Sequence, residues 1–226
     1  SLTNLDFYLK VNERSLINMM REIERLMMSK GKRTANGLLK AARDLFVING
    51  YGAVSMREIA LKLGINAGAI YNHFPSKQEI LFRLLEDHML DLLSQWKITV
   101  ARCNGDTDQL ILKKFVNFHI AFHVDKSKEV FLSYMELRSL NSKNFKRISK
   151  LRYDYENLLK NILLVGRKNK KLDFKDAEIT TKAILGMLSS LSHWYQSKGR
   201  LKTDEIQKIY WDLILSSVQK DRTVYV

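Results

Sequence analysis

The chain has 226 residues, 46% of them hydrophobic and 27% charged, with one proline and one cysteine. That balance supports a buried core and excludes an intrinsically disordered polymer and a disulfide-stapled scaffold. A formal charge of +14 and a pI near 9.8 favour a polyanionic partner over a membrane, since no apolar run reaches the length of a membrane span. With no secretory pattern and with Cys103 lacking an internal partner, the expected location is the reducing cytoplasm.

Helical periodicity dominates from one end to the other and predicts an all-α fold. Residues 1–30 form an extension in which Leu16, Met20, Ile23 and Met27 trace a short amphipathic helix. Its expected role is docking on the body or on a second subunit, with Lys30, Lys32 and Arg33 as an alternative basic arm toward phosphates. Ala35, Leu38, Leu39, Ala42, Leu45 and Phe46 mark a helix that closes at the turn Asn49-Gly50-Tyr51-Gly52. Ser55 and Glu58 then make a capping box, and Met56, Ile59, Ala60 and Leu63 define an inward face. Gly64 is suited to the left-handed conformation that ends this helix. Asn66 is placed to cap a short second helix with Ile70 and Phe74 inward; Pro75 stops it, and Ser76 with Glu79 opens the next.

Beyond this region Ile80, Leu81, Leu84, Leu85, Met89, Leu92 and Trp96 trace a long helix up to the turn Asn104-Gly105-Asp106. Helices follow at about 107–124, 127–140 and 144–168. Asp173 is expected to start another, which carries Ile179, Ala183, Ile184, Met187, Leu188, Leu191 and Trp194 until Gly199 breaks it, and Thr203 is expected to cap the last, with Ile206, Ile209, Tyr210, Leu213 and Ile214 on one side. Small Gly186, Ser189 and Ser190 allow close approach along this final pair.

A helix, a glycine turn and a second short helix form the unit that sets one helix in a DNA major groove. With Ile70 and Phe74 inward, Ala67, Gly68, Tyr71 and Asn72 face out. Asn72 suits adenine, Arg57 suits guanine O6 and N7, and Ala67 and Ala69 suit thymine methyls. Basic and acidic residues nearly balance between Lys32 and Lys97, and the excess collects later, from Arg138 to Lys171. Such a run is by default a solvated helix face.

The motifs Arg57-Glu-Ile-Ala60, Leu63-Gly-Ile65 and Tyr71-Asn-His-Phe74 with Ser76-Lys77 resemble the DNA-binding domain of TetR-family transcriptional regulators. The resemblance implies a DNA-binding domain at 31–92, with a C-terminal effector-binding and dimerisation domain at 93–226. It implies DNA contacts from Ser55, Arg57, Asn66, Ala67, Gly68, Ala69, Tyr71, Asn72, His73 and Lys77, with Tyr71 and Lys77 on phosphates. It further implies a homodimer on a palindromic double-stranded operator, acting as a repressor that a small-molecule effector releases. Glu136-Leu-Arg-Ser-Leu140, Arg147 to Arg152, Tyr155-Glu156 and Ala183 to Leu188 resemble the FadR-like branch, which answers to acyl-CoA and controls lipid metabolism. On that reading Phe118, Phe122, Phe131, Met135 and Met187 line an acyl tunnel near Tyr155 and Trp194. Arg138 or Arg152 would then meet phosphates. The sequence departs from that branch where Ser189 and Ser190 stand in place of Asn-Trp.

No nucleophile elbow, P-loop or dinucleotide fingerprint is present, so neither catalytic residues nor a cofactor are expected. Two rival readings keep the same fold. One senses a drug-like cation; the other senses a metal held by His119 and His123 with Asp125, His88 or Cys103.

Overall fold

The computed structural model describes residues 29–103, 105–195 and 199–219, and every regular element among them is helical. In chain order these are α1 (Lys30–Asn49), α2 (Met56–Leu63), the 3-10 helix η1 (Ala69–Asn72), α3 (Lys77–Ala101) and α4 (Asp108–Asp125). They continue as α5 (Ser127–Met135), the 3-10 turn η2 (Leu137–Ser139), α6 (Ser142–Lys168), α7 (Ala177–Trp194) and α8 (Thr203–Val218). The helix expected through Leu16 to Met27 lies outside the described residues. No described helix is long and apolar enough to cross a membrane.

Contacts divide the chain into two compact units that do not follow a single cut at residue 92. The first combines the described part of Ser1–Ala42 with Ser55–Lys77, and the second combines Arg43–Val54 with the chain from Gln78 onward. Helix α1 therefore contributes to both.

In the first unit Leu38, Ala41 and Ala42 present one stripe of α1, and Ile59, Ala60, Ile70 and Phe74 complete the core. Gly37 belongs to the same packing, because a Cβ there would lie 2.9 Å from a methyl of Leu63. Helix α2 has only eight residues and is closed chemically at both ends. The Ser55 hydroxyl accepts the Glu58 N–H at 3.3 Å, and the Glu58 carboxylate accepts the Ser55 N–H at 2.7 Å. Gly64 has φ +74°; its N–H reaches Leu61 O and the next N–H, of Ile65, reaches Ala60 O, which completes a Schellman turn.

The second helix of the motif is shorter and tighter than an α-helix. Asn66 accepts the Gly68 N–H on its side-chain oxygen at 2.8 Å. The bonds from Ala69 to Asn66, Tyr71 to Gly68 and His73 to Ile70 then all span three residues. With Pro75 close behind, only the bond from Phe74 to Ile70 spans four.

The second unit is built around α4, which packs against α6, α7 and α8. Leu112, Phe115, Val116 and Ile120 are fully buried along it. Phe115 meets Trp96 of α3 edge-on at 5.0 Å and stacks on Tyr155 of α6 at 5.4 Å. Three expected boundaries move. The helix from 127 stops at Met135, where the Glu136 carboxylate accepts from Tyr51 N–H and from the Ser139 hydroxyl. Helix α7 is capped by Asp176 instead of Asp173, its carboxylate accepting the Ile179 N–H at 2.8 Å. Thr203 begins α8 without capping it. Glu205 accepts the Lys202 N–H there, and the Thr203 hydroxyl meets that of Tyr195 at 3.1 Å.

Replacing Gly64 with alanine places a Cβ in the left-handed region and should lower unfolding free energy by about 1–2 kcal/mol in urea titration. An unchanged midpoint would contradict the glycine-dependent cap.

Candidate DNA-reading face and effector cavity

In the first unit the burial of Ile70 and Phe74 leaves the polar edge of η1 in solvent. Tyr71 is 57% exposed, and Asn72, Gly68 and Arg57 are exposed with it. Ala67, Ala69, His73 and Lys77 are half-buried. Asn66 is exposed but commits its side-chain oxygen to Gly68. The Ser55 hydroxyl donates to Glu58 at 2.7 Å, so its proton is already used within the cap. The bonds from Ser55, and to a lesser degree the Lys77 charge, hold the Glu58 carboxyl below its ordinary range. The division into units also changes the charge picture. Lys30, Lys32, Arg33, Lys40, Arg57, Lys62 and Lys77 stand against Glu58 alone among the described residues of this unit. The neighbouring acidic residues, Asp44 and Glu79, belong to the other unit. A small surface with this surplus attracts phosphates.

The second unit encloses a cavity of about 270 Å³ bordered by α3, α4, α5, α6 and α7. Its buried floor holds His88 from α3 and His119 and His123 from α4, and Met89 and Leu92 supply apolar wall. The His119 and His123 rings stack at 3.7 Å and 11°. His123 Nδ1 lies 2.9 Å from the His119 carbonyl, which can only accept, so the proton of the neutral ring sits there. His119 Nδ1 lies 3.1 Å from the Tyr155 hydroxyl, whose pKa burial pushes well above its ordinary value. Desolvation keeps all three imidazoles neutral: it lowers His88 to about 4, His123 to about 3, and His119 well below the ordinary histidine value. His88 Nδ1 and His119 Nε2 are buried without a hydrogen-bond partner among the described residues.

Arg152 enters the wall from α6. It donates to the Ser133 carbonyl at 3.0 Å and lies over the Tyr134 ring at 4.8 Å. Tyr134 in turn donates to the Ser189 hydroxyl at 2.7 Å, tying α5 to α7. Arg152 has no carboxylate partner among the described residues, and the i,i+4 pair with Glu156 that its spacing allows does not form. At the exposed rim Lys182 pairs with Glu178 at 3.0 Å, and hydrogen bonds from Lys160 and Lys182 bring that carboxyl down to about 2.

Residues 38–84 match the family described as bacterial regulatory proteins, tetR family, and residues 108–218 match the tetracyclin repressor-like C-terminal domain. The chain belongs to the TetR family. As a TetR-family protein it is a DNA-binding, ligand-responsive transcription regulator and not an enzyme. It is 26% identical to the HTH-type transcriptional repressor KstR2 of Rhodococcus jostii over 83% of this chain and 91% of that protein. A tetR-family regulatory protein from Rhodococcus RHA1 superposes with a TM-score of 0.77 at 24% identity, over 86% of this chain and all of that one. AibR, solved with isovaleryl coenzyme A and operator DNA, superposes with a TM-score of 0.71 at 22% identity, over 79% and 96% of the two chains.

Of the nine residues expected around an effector in this TetR-family protein, Arg152 and Tyr155 line the cavity. Phe122 is buried behind it against His88 and Phe118. Phe118 faces a separate hollow with Thr99, Arg102, Lys114 and Asn117. Met187 is half-buried and absent from the lining, while Phe131, Met135, Arg138 and Trp194 are exposed. Helix α5 turns Val130, Leu132 and Ser133 inward, which sends Phe131 and Met135 out. The polar lining residues outside those nine are the three histidines, Ser133, Tyr134, Glu156, Lys182 and Ser189. The signal for the histidines was their place in the stripe Leu112, Phe115, Val116, His119, Ile120, His123. Stacking keeps the in-plane nitrogens of His119 and His123 from converging on one point. Among the described residues no three His, Cys, Asp or Glu side chains group as a metal site would require.

Histidines held neutral make stability depend on pH with a fixed sign. Above about pH 6.5 folded and unfolded chains both carry neutral rings; below it the unfolded chain binds protons that the folded one refuses. Stability should therefore fall from about pH 6.5 toward pH 4, by roughly 1.4 kcal/mol per pH unit for each histidine. In His88→Phe the slope, read from urea midpoints, should be shallower by about that amount. An unaltered slope would mean that His88 is charged in the folded state.

Proposed function

We propose that the protein is a repressor that binds a palindromic operator as a homodimer and is released when an acyl-CoA thioester with a short acyl group enters the cavity. The observation carrying the operator reading is the solvent-facing edge of Arg57, Tyr71 and Asn72 on a unit with seven basic residues and one acidic residue among those described. Arg57 and Asn72 have the donors for base edges, while Tyr71 and Lys77 suit phosphates. One such unit offers little surface, and two in successive major grooves, about 34–36 Å apart, supply the rest.

Dimerisation is supported by apolar surface on the last two helices. Ile179 and Trp194 of α7 and Ile209 and Leu213 of α8 are exposed at 44–70%. Such a surface fits a second copy of the pair as a four-helix bundle. Trp194 suits that surface better than the ligand, because it is exposed and does not line the cavity.

The effector reading rests on a cavity smaller than a drug-sized pocket, with the unneutralised Arg152 in its wall and an isovaleryl-CoA-bound protein of the same fold. A long alkyl tunnel has less support, because the aromatic and methionine side chains expected to line it lie elsewhere. A ligand with equal affinity for both arrangements would release nothing, so it must favour the one that DNA does not.

Fluorescence anisotropy with operator variants from the neighbouring genomic DNA tests the interface. Arg57→Ala should cost about 1–3 kcal/mol and relax preference at one base pair, whereas Lys77→Ala should weaken every sequence alike and flatten the salt dependence. Equal loss of preference in both variants would refute the assignment. In the same assay isovaleryl-CoA and butyryl-CoA should release the DNA and palmitoyl-CoA should not; release by none of them would remove the acyl-CoA reading.

A further inference from the structure

The floor of the cavity is polar where a pocket for a plain hydrocarbon would be apolar, and this deepens the effector reading on which it rests. His119 is fully enclosed and its ring lines the cavity, yet Nε2 has no partner among the described residues; His88 Nδ1 shares that condition. Folded proteins rarely leave buried polar atoms unpaired without a use for them.

Hydrogen-bond accounting fixes what the floor presents. A neutral imidazole carries one N–H and one lone pair, and a phenol carries one proton. Donation from Tyr155 to His119 Nδ1, at 3.1 Å, satisfies both groups and leaves the His119 proton on Nε2. His123 holds its own proton on Nδ1 against a carbonyl. The His119 N–H is thus left without a partner, in the same cavity as Arg152, which donates to the Ser133 carbonyl and forms no ion pair with Glu156, the carboxylate that shares the lining.

We propose that this floor receives a carboxylate at the far end of the effector's acyl group, with His119 Nε2–H donating to one oxygen and Arg152 supplying the compensating charge. The preferred ligand class is then an ω-carboxylated short acyl compound instead of a saturated one. Stacked imidazoles, with Met89 and Leu92 beside them, form the walls for its methylene chain.

Isothermal titration of the full chain with glutaryl-CoA and valeryl-CoA, and with monomethyl glutarate and methyl valerate, separates the possibilities, since each pair differs in the terminal carboxylate alone. The carboxylated member of at least one pair should bind tenfold or more tighter, about the effect of a charge-assisted bond in a site built for it. In the double variant His119→Phe/Tyr155→Phe, which removes the donor without stranding the phenol, the preference should shrink to about twofold. Arg152→Gln should weaken the carboxylated member of a pair about tenfold more than its saturated partner, and it serves if the double variant does not fold. Preference confined to the methyl-ester pair would end the thioester reading and leave this inference standing. Equal binding of glutaryl-CoA and valeryl-CoA with operator release would do the reverse. Binding of none of the four probes, or a preference that survives in folded variants, would overturn it.

Discussion

Two chemical stops on an eight-residue helix govern what the first unit can present to DNA. A helix of that length has little stability of its own, and α2 persists because Ser55 and Glu58 satisfy its first donors and Gly64 its last acceptors. The same stops fix the direction in which the chain leaves toward η1. Asn66 and Pro75 then limit the next segment to a tight turn anchored by Ile70 and Phe74, which leaves Tyr71 and Asn72 no inward option. A polar edge is exposed here because its apolar neighbours have already filled the core.

The stretches that enter and leave Ser55–Lys77 are fastened within the second unit. Arg43 pairs with Glu129 and Asp44 with Lys128, tying the end of α1 to α5. Tyr51 gives its N–H to Glu136 and its hydroxyl meets Gln78, which also bonds the Ser139 carbonyl and the Asn141 N–H. Helix α5 carries Ser133 and Tyr134 on the cavity wall and ends beside Glu136. One short element thus touches the cavity and the chain segments that lead to the DNA-reading residues.

Legibility in the sequence followed local chemistry. Caps, the left-handed glycine and the proline stop act within four residues, so the helix-turn-helix could be read almost residue by residue. What failed were choices that only packing makes. Phe131 and Met135 have the composition of a pocket wall, but their neighbours Val130, Leu132 and Ser133 took the inside. Asp173 and Asp176 were equally good caps by type; Asp176 caps the helix, while Leu172 packs over Gly166 and the Asp173 N–H donates to the Val218 carbonyl. The basic surplus of the first unit was hidden because counting from Lys32 to Lys97 mixes in Asp44, Glu79, Glu86, Asp87 and Asp91 from the other unit. The histidine floor was the largest omission: spacing marked His119 and His123 as a pair but could not show them stacked, neutral and partly unpaired.

The central claim is that bases and phosphates meet the edge formed by Arg57, Gly68, Tyr71 and Asn72. Amide and side-chain NMR of the labelled protein, titrated with duplexes from its genomic neighbourhood, addresses it directly. The account predicts that perturbations at stoichiometric DNA centre on residues 55–77, with the Arg57 guanidinium and the Asn72 amide among the largest. Perturbations centred on α6, with residues 55–77 unmoved, would contradict it.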